Sequence, residues 1–187
     1  YSNVIKLNIM FLKKLNKKYF NKNLNLVPII LIILLSRFIP HPPNFTPIIS
    51  IAILCPLFFK KTNTSLILVI GGMFVTDLFL GLYQNMIATY LVITLIYFFS
   101  KFYLKTQILN LKNLFLVSIF SASIFFFLTN LTVWAFGELY PLNFEGLILC
   151  YVMAIPFFTN TLISTILFSG LAYTSIFFID KKKIQKF

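Results

Sequence analysis

The sequence predicts an all-α polytopic membrane protein of about six transmembrane helices, and three observations carry that prediction. Hydrophobic residues make up 59% of the chain and charged residues only 11%, with a mean hydropathy of +0.93. A water-soluble domain of that composition would have to cover its surface with apolar side chains. The apolar residues fall into runs of roughly 16–25, the length that crosses a bilayer as a helix. Finally, the lysines are segregated between those runs, and they explain a formal net charge of +12 without nucleic acid.

Taken in order, residues 1–23 form an amphipathic basic segment. Within VIKLNIMFLKKLNKKYF, Ile5, Ile9, Leu12, Leu15 and Tyr19 fall near one helical face while Lys13, Lys14, Lys17 and Lys18 occupy another. That is the pattern of a helix lying in the membrane interface, as a lipid anchor or a partner-binding helix. A membrane domain follows over 24–180, with spans expected at 24–39, 46–59, 65–82, 86–101, 112–135 and 156–179, and a basic tail over 181–187. Six spans place Lys60, Lys61, Lys101, Lys105, Lys112 and the terminal lysines on one side, leaving Glu138 and Glu145 on the other. Both termini are then expected on the cytoplasmic or matrix side of a bacterial inner membrane or organelle inner membrane.

Between the first two spans lies RFIPHPPNFTP, which holds the chain's single arginine and single histidine together with four of its prolines. Proline at this density stops helices and keeps the backbone extended, so its peptide groups need partners from elsewhere. Thr46 and Pro47 mark a helix start, with the hydroxyl as cap and proline at the first helical position. Pro56 predicts a kink near Cys55. Gly71 and Gly72 allow close packing or a bend, and Gly81 with Asn85 fits a tight turn. From Phe144 to Ile179 an unbroken helix would run about 54 Å at about 1.5 Å per residue, longer than a hydrocarbon core of about 30 Å. The sequence therefore predicts an interfacial or re-entrant helix over 143–155, broken at Pro156, before the sixth span. Cys55 and Cys150 fall near opposite faces on this topology, which makes a disulfide between them improbable.

Charges at membrane depth are costly and either pair or face a cavity. Arg37 and Asp77 fall near the same membrane face and are placed to pair, as a helix clamp or as part of a pocket. His41, Asn44, Asn130, Trp134, Tyr140 and Asn160 gather at the same depth. Interfacial anchoring explains Trp134 and Tyr140 alone, while Asn130 and Asn160 could bond a neighbouring helix or a ligand. Their convergence with a helix N-terminus and a discontinuous backbone points to a polar cavity that binds a solute. The expected function is a solute-binding transport subunit, with a structural or assembly subunit of a larger membrane complex as the alternative. The expected partners are the lipid bilayer, other membrane subunits and a small-molecule solute, not nucleic acid.

Nothing in the chain suggests an enzyme. There is one His, no paired carboxylates on one helix, no GxSxG and no nucleotide loop, so no catalytic constellation surrounds Asp77 or His41. No motif implies a metal or an organic cofactor.

The blocks RFIPHPPNFTPI (37–48), TDLFLGLYQNM (76–86) and TNLTVWAFGELYPLNFEGLILCYVMAIPFFTNTL (129–162) resemble a family of uncharacterised bacterial six-helix membrane proteins. That family is in turn similar to the substrate-capture (S) components of energy-coupling-factor transporters. The resemblance implies a six-helix fold with a pocket for a vitamin or metal near the outer face. It marks Arg37, His41, Pro43, Asn44, Asp77, Asn130, Trp134, Tyr140, Pro141 and Asn160 as motif positions. The AxxxA-type docking pattern common in the first helix of those components is absent from LVPIILIILLSRF.

Overall fold

A computed structural model describes residues 32, 35–58, 62–106 and 110–184. Among these the regular structure is helical. A helical turn over 35–38 precedes the proline-rich stretch, followed by α1 (Ile48–Phe58), α2 (Thr62–Leu80), α3 (Met86–Thr106), α4 (Leu111–Phe136) and α5 (Phe144–Ile184). Three segments are long and apolar enough to cross a membrane: Met86–Leu104, Leu111–Phe136 and Phe144–Ser175. Many of their large apolar side chains point outward, among them Phe102, Phe120, Phe127, Leu131 and Val152. Outward-facing Phe and Leu suit a surface solvated by lipid rather than water.

Six spans are not confirmed. Most of the expected span 24–39 lies outside the described residues, and the amphipathic segment 1–23 lies outside them entirely. The span expected at 46–59 is the 11-residue α1, whose rise of about 16 Å covers only about half of a hydrocarbon core. This short helix is the centre of the bundle. It packs against each of the other four, and Ala52 and Ile53 are fully buried.

The clearest correction concerns the C-terminal third. Pro156 does not separate an interfacial helix over 143–155 from a sixth span, because α5 runs unbroken through it for 41 residues. Proline removes a single backbone donor, a loss that membrane helices tolerate. The start of α5 is strongly specified instead. The Asn143 side chain accepts from Gly146 N at 2.7 Å, and a Cβ at Gly146 would lie 2.0 Å from the Pro141 carbonyl oxygen. α4 is capped likewise, Asn110 accepting from Asn113 N at 2.8 Å.

Two other expectations are refined. The first helical bond of α1 runs from Ile51 N to the Pro47 carbonyl, so Pro47 rather than Thr46 takes the cap position and Ile48 is the first helical residue. Gly71 has open space where a side chain would stand, so it is not a close-packing contact. The turn at 81–85 forms as expected, with Gly81 at φ 102°, a conformation that glycine adopts without steric cost.

Candidate functional site

The proline-rich stretch is held partly by its own turns and partly by α5. Phe45 N donates to the Pro42 carbonyl and Thr46 N to that of Asn44, each at 3.0 Å. Asn44 itself takes the left-handed conformation, φ 63°, which asparagine tolerates better than most residues. From α5, Asn160 Nδ2 donates to the Pro43 carbonyl at 3.1 Å and Ser164 Oγ to the Asn44 carbonyl at 3.5 Å. Asn160 lies about 24 Å along α5 from Phe144 at about 1.5 Å per residue. The stretch is therefore tied to α5 well inside that helix, while residues 38–44 stay exposed.

Beside it, Arg37 and Asp77 pair. The Arg37 guanidinium places Nη2 2.5 Å from Asp77 Oδ1, while Nη1 donates to Thr76 Oγ1 at 2.7 Å and to the Met73 carbonyl at 3.2 Å. Tyr90, across the turn on α3, donates its hydroxyl to Asp77 Oδ2. The Asp77 side chain is 1% exposed and that of Arg37 16%. Both charges are thus spent inside a knot of α2, α3 and the helical turn over 35–38.

A two-lobed cleft opens around this knot. The first lobe, about 310 Å³, is lined by Arg37, His41, Asn44 and Thr46 on one wall and by Tyr83, Thr89 and Phe125 on the other. The second, about 250 Å³, lies between α4, α5 and the 81–85 turn, and includes Asn130, Thr129 and the rings of Phe126, Phe157 and Phe158. Asn44, Tyr83, Thr89, Phe125 and Thr161 line both lobes. Burial pushes the Tyr83 phenol above its ordinary pKa, with the Thr89 hydroxyl beside it acting in the opposite direction. Tyr83 stays neutral at ordinary pH.

Of the residues singled out from the sequence, Arg37, His41 and Asn44 line the first lobe and Asn130 the second. His41 is exposed and its Nδ1 bonds the Pro42 carbonyl at 2.9 Å. Asp77 stands behind Arg37. Asn160 bonds the proline-rich backbone, and Trp134 donates from Nε1 to the Pro141 carbonyl at 3.0 Å, which ties the α4–α5 connection. Neither they nor Tyr140 line the two lobes. Tyr83, Thr89, Tyr90, Phe125 and Thr161 complete the arrangement and were not singled out. Tyr83 stands inside the quoted block TDLFLGLYQNM, but neutral hydroxyls and rings in apolar helices give little sequence signal. Among the described residues no group of His, Cys, Asp and Glu could hold a metal ion.

A family model matches residues 17–187 and is described as a family of unknown function, DUF6580. The chain belongs to DUF6580. The match covers the proline-rich stretch, the knot and both lobes. No curated protein and no solved structure matches the chain.

Proposed function

We propose that this chain is the solute-binding subunit of a membrane transport system, taking its solute into the two-lobed cleft. The observation that carries the reading is the joining of a discontinuous backbone to a cavity. A half-length central helix and a proline-rich wall meet beside the Arg37–Asp77 pair, and about 310 Å³ opens there. Non-helical backbone at membrane depth is tolerated where protein or a cavity satisfies it, and transporters place binding sites at such breaks. Cavities of about 300 Å³ and more accommodate small organic ligands. On this reading residues 24–39 supply a further span, and the lysines face the cytoplasm or matrix. The likeness to substrate-capture components points the same way.

One observation favours the alternative, a structural subunit of a larger membrane complex: Arg37 and Asp77 satisfy each other, as helix clamps do. Purifying the full chain from native membranes into lipid nanodiscs, with mass spectrometry of retained small molecules and proteins, separates the two. A transport subunit retains a small molecule near one per chain, and the Thr89→Trp variant, which fills the cleft, loses it. Stoichiometric membrane subunits with no retained molecule would establish the structural reading.

A further inference from the structure

Resting on that binding reading, we infer from the hydrogen-bond commitments of its lining that the cleft selects a planar nitrogen compound that donates hydrogen bonds and carries no negative charge. The threonine hydroxyl protons of the second lobe are already used. Thr89 donates to the Asn85 carbonyl at 3.0 Å, Thr129 to that of Phe125 at 2.7 Å and Thr161 to that of Phe157 at 2.8 Å. A hydroxyl has one proton and two lone pairs, so each of these oxygens can only accept from a ligand. Asn130 gives one of its two Nδ2 protons to the Phe126 carbonyl at 2.7 Å, which leaves Oδ1 as an acceptor beside a single remaining N–H. In the first lobe the Nδ1 of His41 faces a carbonyl, which only accepts. That nitrogen therefore carries a proton, which leaves Nε2 as the uncommitted ring nitrogen.

The one cation on the lining is Arg37, and its charge is met by Asp77. An anion entering the cleft would give up its water for three threonine oxygens that can only accept, with the Tyr83 hydroxyl and the Asn44 and Asn130 amides as the uncharged donors left to it. A donor of N–H groups would instead find several partners. Ring faces supply the apolar part of the surface, with Phe126 and Phe158 only 4.7 Å apart between centroids. Such faces stack planar ligands and attract cationic ones.

Three compounds of one shape test the inference: benzamidine (a cation at neutral pH), benzamide (neutral) and benzoate (an anion). Thermal unfolding of the full chain in nanodiscs is followed with each at millimolar concentration. Benzamidine and benzamide raise Tm, benzoate does not, and Asn130→Leu weakens the two positive responses about tenfold in apparent affinity. Benzoate acting as well as benzamidine, or all three proving inert, would overturn the ligand class. Retention of a native molecule, read separately by mass spectrometry, decides the binding reading: an anion held one per chain would sink this inference and leave that reading intact.

Discussion

Two polar regions lie side by side at one end of this bundle, and they are built by opposite rules. In the knot, Arg37 of the 35–38 turn, Thr76 and Asp77 of α2 and Tyr90 of α3 bond across the boundaries between three elements. In the neighbouring lobe, Thr89, Thr129, Thr161 and Asn130 each spend a donor on the carbonyl four residues back along their own helix. The first arrangement joins elements and leaves little for a ligand. The second joins nothing and leaves threonine oxygens free to accept. Polar residues at membrane depth therefore do not form one class here, and their partners, rather than their identities, sort them into clamp and lining.

The sharpest way to break that distinction is to remove one charge of the knot. Arg37→Ala strands the buried carboxylate of Asp77 and should lower stability by about 3 kcal/mol, as loss of one partner of a buried pair does. Asp77→Asn should also destabilise, because Arg37 is then the unpaired charge. Combining the two substitutions removes both charges and should recover much of the loss. Reversible unfolding in nanodiscs measures all three. Single variants as stable as a surface lysine substitution would show that no pair holds the elements together.

Tyr90→Phe tests the same knot more gently. It takes the hydroxyl donor from Asp77 Oδ2 and keeps the ring, so the expected cost is about 2 kcal/mol, the scale of a hydrogen bond to a charged group. A neutral outcome would mean that the carboxylate is satisfied without it.

Asn160→Ala comes next, because its amide serves the backbone of the proline-rich wall. Leaving the Pro43 carbonyl without that donor should cost about 1 kcal/mol. Cleavage of the 39–47 stretch by added protease should also quicken, since one of its two ties to α5 is gone. Unchanged cleavage would show that Ser164 and the local turns suffice.

The knot was legible in the sequence and the lining largely was not, for a physical reason. A lone arginine and a lone aspartate between apolar runs must find partners, so their pairing follows from cost alone. The run of prolines likewise announced a break, and Gly81 a turn. Asparagine carries no such compulsion. Asn130 and Asn160 look alike in sequence, yet one bonds its own helix beside the cleft and the other bonds the Pro43 carbonyl. Hydroxyls such as Thr89 and Thr161 satisfy themselves within a helix wherever they fall, so nothing in the sequence separates lining from filler. Pro156 misled for the opposite reason: in a bilayer, where an open break would expose several backbone groups, one missing donor is the smaller cost.

The smallest expected effect on stability is also the most informative about the lobe. Thr129→Val keeps shape and removes a hydroxyl whose hydrogen bond among the described residues runs to the Phe125 carbonyl on the same helix. That carbonyl already accepts the helical amide bond, so no group is stranded, and stability should stay within about 0.5 kcal/mol of the parent chain, the range of substitutions that break no shared network. The acceptor it offered the cleft is lost all the same, and the rise in Tm produced by benzamidine should shrink. A clamp residue would show the reverse, a clear loss of stability in the absence of any added compound. If Thr129→Val behaves like Tyr90→Phe, the lobe is a second knot, and the division between holding the bundle and lining its cleft fails where it is drawn.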